Sequence, residues 1–233
     1  MITENLRLIH ENIENACKKS KRDPNEITLI AVSKTYPTAS IEEALSTGQI
    51  AFGENKVQEL LQKKLYFDQN SVPIEWHLIG HLQTNKVKSI IGKTKLIHSV
   101  DSLKLAMIIQ KESQKQNICT DILLEVNMAN EETKYGFTIS EIDAACREIS
   151  QLSNLHIKGL MTIAPFVDNP EDNRLIFKKM KKLSVDIMAQ NNDNTSMQIL
   201  SMGMSNDYQV AIEEGATMIR IGTDIFGKRN YNI

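Results

Sequence analysis

The sequence has 233 residues, of which 41% are hydrophobic and 24% are charged, a composition typical of globular domains. The formal net charge of -2 offers no basic surface for nucleic acid, and no apolar run approaches the roughly 18 residues of a transmembrane helix. The N-terminus carries acidic and polar groups throughout, unlike a signal peptide, and the three cysteines lack C-x-x-C spacing. These features favour a cytoplasmic protein with reduced thiols and disfavour nucleic-acid and membrane partners.

Helical and strand patterns alternate along almost the whole sequence. An amphipathic helix is predicted over residues 3–20, where Leu6, Ile9 and Ile13 share one face. Short apolar, β-branched runs predict strands at 27–33, 50–53, 75–79, 95–100, 121–127, 156–163, 198–202 and 217–221. Helical patterns separate these strands at 39–47, 55–67, 84–91, 102–116, 139–151, 171–190 and 206–214.

The alternation of apolar strands with helices predicts a parallel sheet that helices cover. Eight strands in a chain of this length favour an α/β fold of the (β/α)8 type, a TIM barrel, with an extra helix ahead of the first strand. A doubly wound open sheet is the alternative, because strand boundaries read from one sequence are uncertain. No linker or repeat divides the sequence, so we expect a single domain over residues 1–233.

The ends of the predicted strands indicate where a site would form. A (β/α)8 barrel binds its ligands at the carboxyl ends of its strands and commonly holds phosphate after strands 7 and 8. Those two strands end in SMGMSND and RIGTDIFG, and a helix is expected to begin at Ser205 or Asn206. The residues suited to phosphate are Ser201, Gly203, Ser205, Gly222 and Thr223. Ordinary turns have a similar composition, so phosphate binding is one of two interpretations here.

Two cations follow or interrupt strands that should be buried. Lys34 ends strand 1, in AVSKTYP. A partly desolvated lysine condenses with a carbonyl, so Lys34 suggests a Schiff base, with a lysine that reaches solvent along the rim as the alternative. Arg220, flanked by isoleucines, needs an acceptor for its protons, which an aromatic ring nitrogen or a carboxylate would provide. His77 and His81 resemble a metal pair in spacing but lack the glutamate of H-E-x-x-H, so no metal site is predicted.

Six segments of the sequence, in this order, resemble the pyridoxal phosphate homeostasis proteins, which are relatives of the barrel half of bacterial alanine racemase. They are AVSKTYP, FGENKVQEL, WHLIGHLQTNK, GLMTIAP, LSMGMSND and RIGTDIFG, and they run from residue 31 to 227. The resemblance implies pyridoxal 5'-phosphate (PLP) held as a Schiff base on Lys34, with Arg220 facing the pyridine nitrogen. The cofactor-binding residues that it implies are Lys34, Asn55, Met161, Thr162, Ser201, Met202, Gly203, Ser205, Arg220, Gly222 and Thr223.

The same resemblance implies a carrier and regulator of intracellular PLP without robust catalytic turnover. A pyridine nitrogen that accepts a hydrogen bond from Arg220 is a weak electron sink, and Tyr231, in the tail KRNYNI, is poorly placed to act as a second base. We expect a monomer that passes PLP to PLP-dependent apo-enzymes. The alternatives are a small PLP-dependent amino-acid racemase or lyase, and a PLP-free class I aldolase that uses Lys34 on a sugar phosphate.

Overall fold

The computed structural model describes residues 1–129, 131 and 134–227 of the chain, so Tyr231 lies outside the described residues. The strands are β1 (Thr28–Val32), β2 (Ala51–Glu54), β3 (Glu75–Leu78), β4 (Leu96–Val100), β5 (Thr120–Glu125), β6 (Leu155–Met161), β7 (Thr195–Ser201) and β8 (Met218–Ile221). The helices are α1 (Ile2–Ser20), α2 (Thr38–Leu45), α3 (Val57–Gln69), α4 (Val87–Ile90), α5 (Leu103–Lys115), α6 (Ile142–Ser150), α7 (Arg174–Met188), α8 (Tyr208–Glu213) and α9 (Thr223–Phe226).

Within the described ranges the strands form a closed parallel barrel in chain order, and β8 pairs with β1 to close it. The predicted barrel is confirmed, and the open doubly wound sheet is wrong. A strand such as β4 is buried at every position, which suits either arrangement, so the pairing of β8 with β1 is what distinguishes the closed barrel. None of the described helices is both long enough and apolar enough to cross a membrane.

The extra N-terminal helix predicted from the sequence is α1. Its apolar face, which includes Leu6, Ile9 and Ile13, is buried. Polar bonds fix its position as well, because Asn12 donates to the hydroxyl of Tyr208 on α8 at 3.0 Å and Asn5 donates to the carbonyl of Ile225 on α9 at 2.8 Å. The helix therefore packs beside the last two helices of the barrel.

The helix after β7 begins at Tyr208, and not at Ser205 or Asn206, where the sequence predicts its start. Asp207 accounts for the difference, because it is buried and bonds to two parts of the chain. One carboxylate oxygen accepts from the backbone N–H of Met204 at 2.8 Å, and the other accepts from the side-chain amide of Asn173 at 2.8 Å. Ser205 and Asn206 consequently belong to a hydrogen-bonded turn between β7 and α8, in which the N–H groups of Asp207 and Tyr208 donate to the carbonyl of Met204.

Candidate functional site

A cavity of about 270 Å³ lies at the carboxyl ends of the barrel strands. Its lining residues are Val32, Lys34, Asn55, Ile79, Ile163, Phe166, Met204, Ser205, Asn206, Arg220, Gly222 and Thr223. The cavity therefore brings together six of the residues that the sequence suggested, and these are Lys34, Asn55, Ser205, Arg220, Gly222 and Thr223. Its apolar wall, which includes Ile79, Ile163 and Phe166, was not foreseen.

The other five predicted residues are Met161, Thr162, Ser201, Met202 and Gly203, and they lie behind the cavity rather than on its surface. Met161 packs inside the barrel against Leu96 and Leu123, and Met202 belongs to the main hydrophobic core. Thr162 and Ser201 are buried and bond to Arg220. Thr162 and Ser201 thus act on the cavity through Arg220, which lines it, and direct contact of the five residues with a ligand stays a prediction.

Gly203 has a packing role in this layer. Its φ is +91°, and a Cβ atom on it would lie 2.6 Å from the Cβ of Ala211 and 2.9 Å from the Cα of Tyr208. Both neighbours belong to α8, so the glycine permits this helix to approach the end of β7 closely. Its carbonyl accepts the backbone N–H of Arg220 at 3.0 Å. The absence of a side chain therefore permits the close contact with α8, and a role of Gly203 in binding a ligand stays a prediction.

Arg220 is 4% exposed, and its guanidinium is held by two neutral oxygens. One amino group donates to the hydroxyl of Ser201 at 2.7 Å, and the other donates to the carbonyl of Thr162 at 2.8 Å. No ion pair joins Arg220 to a carboxylate within the described part of the chain, so the alternative of a structural salt bridge is wrong. Burial lowers the pKa of Arg220 to about 10, so it remains protonated near neutral pH.

A hydrogen-bonded chain continues from Arg220 into the barrel. The hydroxyl of Ser201 lies 2.9 Å from Nδ1 of His98, and Nε2 of His98 lies 3.0 Å from Nδ1 of His77. Burial lowers the pKa of His77 to about 4 and that of His98 well below its usual value, so both rings are neutral near pH 7. A guanidinium only donates, so Ser201 accepts from Arg220 and its own hydrogen is available to His98.

The sequence reasoning missed this role of His98, although a signal was present. His98 lies within LIHSV, and a polar residue inside a buried strand requires a partner just as Arg220 does. His81, by contrast, is at the surface, where it stacks on Tyr135 and lies 2.9 Å from a carboxylate oxygen of Asp101. In residues 1–129, 131 and 134–227, no three His, Cys, Asp or Glu side chains form a group able to hold a metal ion.

Lys34 occupies a tight turn at the end of β1. The backbone N–H of Tyr36 donates to the carbonyl of Ser33 at 3.0 Å, which closes the turn around Lys34 and Thr35. Thr35 has a φ of +68°, in the left-handed region that β-branched residues rarely adopt. The turn leaves the side chain of Lys34 half-buried on the wall of the cavity.

Gly222 and Thr223 lie where β8 ends and α9 begins. A Cβ atom on Gly222 would lie 3.3 Å from the carbonyl oxygen of Val32, so a larger residue would press on the end of β1. The first N–H groups of a helix have no acceptor inside it, and here they follow Gly222 at the edge of the cavity. Together with the hydroxyls of Ser205 and Thr223, they give this side of the cavity hydrogen-bond donors for an anion.

Glu125, at the end of β5, is a second ionisable group near Arg220 that the sequence reasoning missed. It is 7% exposed, and burial raises its pKa to about 7, with the negative charge of Asp101 acting in the same direction. The positive charge of Arg220 opposes this shift. This carboxyl group therefore loses its proton and becomes negatively charged as the pH rises through about 7.

The sequence model of the alanine racemase N-terminal domain matches residues 5–230. The pyridoxal phosphate homeostasis protein of Aquifex aeolicus is 45% identical over 228 residues, covering 98% of each chain. The chain belongs to the pyridoxal phosphate homeostasis protein family. The member from Escherichia coli K12 is 35% identical, over 99% of this chain and 98% of the other. The resemblance drawn from the six sequence segments is thereby confirmed.

Solved structures support the same assignment. PipY of Synechococcus elongatus PCC7942, solved with PLP bound, is 33% identical, with a TM-score of 0.84 over 97% of this chain and 100% of that one. Alanine racemase of Clostridium difficile 630 has a TM-score of 0.73 at 16% identity, over 98% of this chain and 58% of that one. The second likeness shows the fold alone and agrees with the predicted alanine-racemase-like barrel.

Proposed function

We propose that this protein binds PLP in the cavity at the carboxyl ends of the strands and acts in PLP homeostasis, as a carrier and regulator. One observation carries the proposal: a lysine, a buried arginine and a group of hydroxyl and N–H donors line one cavity. These are Lys34, Arg220, Ser205 and Thr223. Membership of the family and the PLP that is bound in the structure of PipY support it.

The residues present fit the chemistry of PLP. When bound, PLP supplies an aldehyde that condenses with a primary amine, so that a C=N bond forms and the carbonyl oxygen leaves as water with the two amine hydrogens. Lys34 supplies that amine in our proposal. Ser205, Thr223 and the backbone after Gly222 bind the phosphate, and Arg220 donates to the pyridine nitrogen. Asn55 adds a polar side chain to the lining of the same cavity.

Arg220 also gives a physical reason for weak catalysis. Its proton is retained near neutral pH, because even the lowered pKa of Arg220 is about 10. A pyridine nitrogen that accepts a hydrogen bond from it stays unprotonated and withdraws electrons weakly, so the protein gains little of the catalytic power of PLP. This favours a carrier over the alternative of a racemase or lyase. A class I aldolase without PLP is disfavoured by the family assignment.

The rim of the cavity suits entry and release of the ligand. Phe166 is 85% exposed and Ile163 is 40% exposed, so the apolar wall continues outward to the surface. We propose that residues 1–233 act as a single PLP-binding domain and a monomer in the cytoplasm, and that PLP passes from this rim to apo-enzymes.

An absorption spectrum tests the proposal directly. The purified protein should be yellow with bound PLP, and borohydride should fix the cofactor to the peptide that contains Lys34, as mass analysis would show. Lys34→Ala should lose this reducible linkage and retain weak binding through the phosphate. An unchanged visible spectrum in Lys34→Ala, or label on another residue, would refute the assignment. Turnover of amino acids that survives purification and disappears with Lys34 would establish the enzyme instead.

A further inference from the structure

A buried lysine on α3 lies next to the turn that carries Lys34. Lys63 is 7% exposed, and its ammonium group donates to three oxygens, each at 2.7 Å. The acceptors are the carbonyl of Ser33 and carboxylate oxygens of Glu54 and Glu59. An ammonium has three N–H donors, so all of them are used. Such a fully bonded buried charge is costly to disturb.

The same carboxylates bond to the turn from two sides. Glu54, at the end of β2 and wholly buried, accepts the hydroxyl of Ser33 at 2.7 Å. Glu59, in the first turn of α3, accepts the backbone N–H of Thr35 at 2.5 Å. The contacts therefore reach the residue before Lys34 and the residue after it, and Lys34 itself lines the cavity.

Thr35 makes this support necessary. Among the described non-glycine residues with positive φ, it is the only β-branched one, with a φ of +68°. A non-glycine residue held in this region is strained and persists only when surrounding contacts fix it. Two sets of hydrogen bonds provide such contacts. The N–H of Thr35 donates to Glu59, and Lys63 donates to both Glu59 and the carbonyl of Ser33.

We propose that Lys63, Glu54 and Glu59 are positioning residues that hold the strained turn at Thr35 and so direct Lys34 at the aldehyde of PLP. This inference rests on the proposed function. It predicts that substitutions in this network weaken the covalent linkage between Lys34 and PLP but leave binding of the phosphate group unchanged. The competing role is a structural one, in which the buried ions only attach α3 to the barrel.

Binding of two ligands to the full chain separates these roles. PLP can bond covalently to Lys34, whereas pyridoxine 5'-phosphate carries an alcohol in place of the aldehyde and reports the phosphate and ring contacts alone. Glu59→Ala should weaken PLP binding roughly tenfold, the size expected from the strain at Thr35, and lower the visible absorbance of the linkage. Its affinity for pyridoxine 5'-phosphate should match that of the wild type. Lys64→Met, which removes an exposed pair with Asp68 on the same helix, is the matched control and should change neither affinity.

A second substitution tests the strain itself. Thr35→Gly in the Glu59→Ala background should restore most of the PLP affinity, because glycine adopts a positive φ without a steric penalty. Equal losses for both ligands, an unaffected PLP affinity, or a loss that Thr35→Gly does not recover would overturn the inference. Lys63→Met should behave like Glu59→Ala if it folds, and the Glu59 series decides the question if it does not. A wild-type protein that binds no PLP would instead refute the proposed function.

Discussion

Replacing Ser201 with alanine tests whether its hydroxyl stabilises the barrel interior or binds the phosphate group of PLP. The hydroxyl of Ser201 accepts from Arg220 at 2.7 Å and lies 2.9 Å from Nδ1 of His98, and none of the three residues is more than 4% exposed. The substitution would therefore leave a buried donor of Arg220 and a ring nitrogen of His98 without partners. We expect a protein that folds with lower stability.

The magnitude follows from these two bonds. Losing a hydrogen bond to a charged group costs roughly 1.5–3 kcal/mol, and leaving a neutral buried group unpaired costs roughly 1–3 kcal/mol. The free energy of unfolding should thus fall by about 4 kcal/mol, which corresponds to a drop in Tm of roughly 10 °C for a chain of this size.

The assay combines denaturant unfolding with measurement of the affinity for pyridoxine 5'-phosphate, and Ser205→Ala is the matched control. Ser205 lines the cavity, so its substitution should change the free energy of unfolding by less than about 0.5 kcal/mol while weakening the affinity for pyridoxine 5'-phosphate. Ser201→Ala should do the reverse. If Ser201→Ala kept wild-type stability and lost phosphate affinity, the interior role given to Ser201 would be wrong.

Three further substitutions follow from the described contacts. The difference in free energy of unfolding between Glu125→Gln and the wild type should be more favourable to the variant at pH 8 than at pH 5, by up to about 3 kcal/mol. The reason is that a carboxyl group whose folded pKa is raised to about 7 costs stability as the pH rises from its unfolded pKa through 7. Unfolding curves at both pH values check this, and a constant difference between the two proteins would contradict it. Arg220→Met should shift the visible spectrum of bound PLP more than it weakens affinity for pyridoxine 5'-phosphate, and equal effects would exclude its role at the ring nitrogen. Gly203→Ala should lower the free energy of unfolding by about 3 kcal/mol, because the added Cβ would press on Ala211. Gly48→Ala should cost only about 1 kcal/mol, because Gly48 has the same φ of +91° but open space around it. Equal losses of stability in thermal unfolding would contradict the argument from packing.

The fold was predictable because its signal is local. Each strand is a short apolar run, and burial on both faces suits only a parallel sheet with helical cover, as β4 shows. The ends of the strands then indicated the cavity, and Lys34 and Thr223 were found from this rule and from the resemblance. The boundary at Tyr208 was missed because the bonds of Asp207 to Asn173 depend on a loop that sequence patterns do not describe.

The interior of the barrel was harder to predict than its rim. Ser201 is the last residue of β7, and only the pairing of distant strands decides that its hydroxyl lies beside His98, 103 residues earlier in the chain. Lys63 presents the same difficulty. In an amphipathic helix a lysine normally reaches solvent. The sequence of α3 gives no sign that Lys63 is buried by its ion pair with Glu54, which lies on another element.

A sheet that closes on itself, as β1 to β8 do within the described residues, leaves no row of backbone groups for another chain to extend. The described barrel therefore offers no open edge for strand addition. An apo-enzyme that received PLP from this chain, as we propose, would have to contact side chains and loops, and the exposed Phe166 on the rim of the cavity lies on that surface.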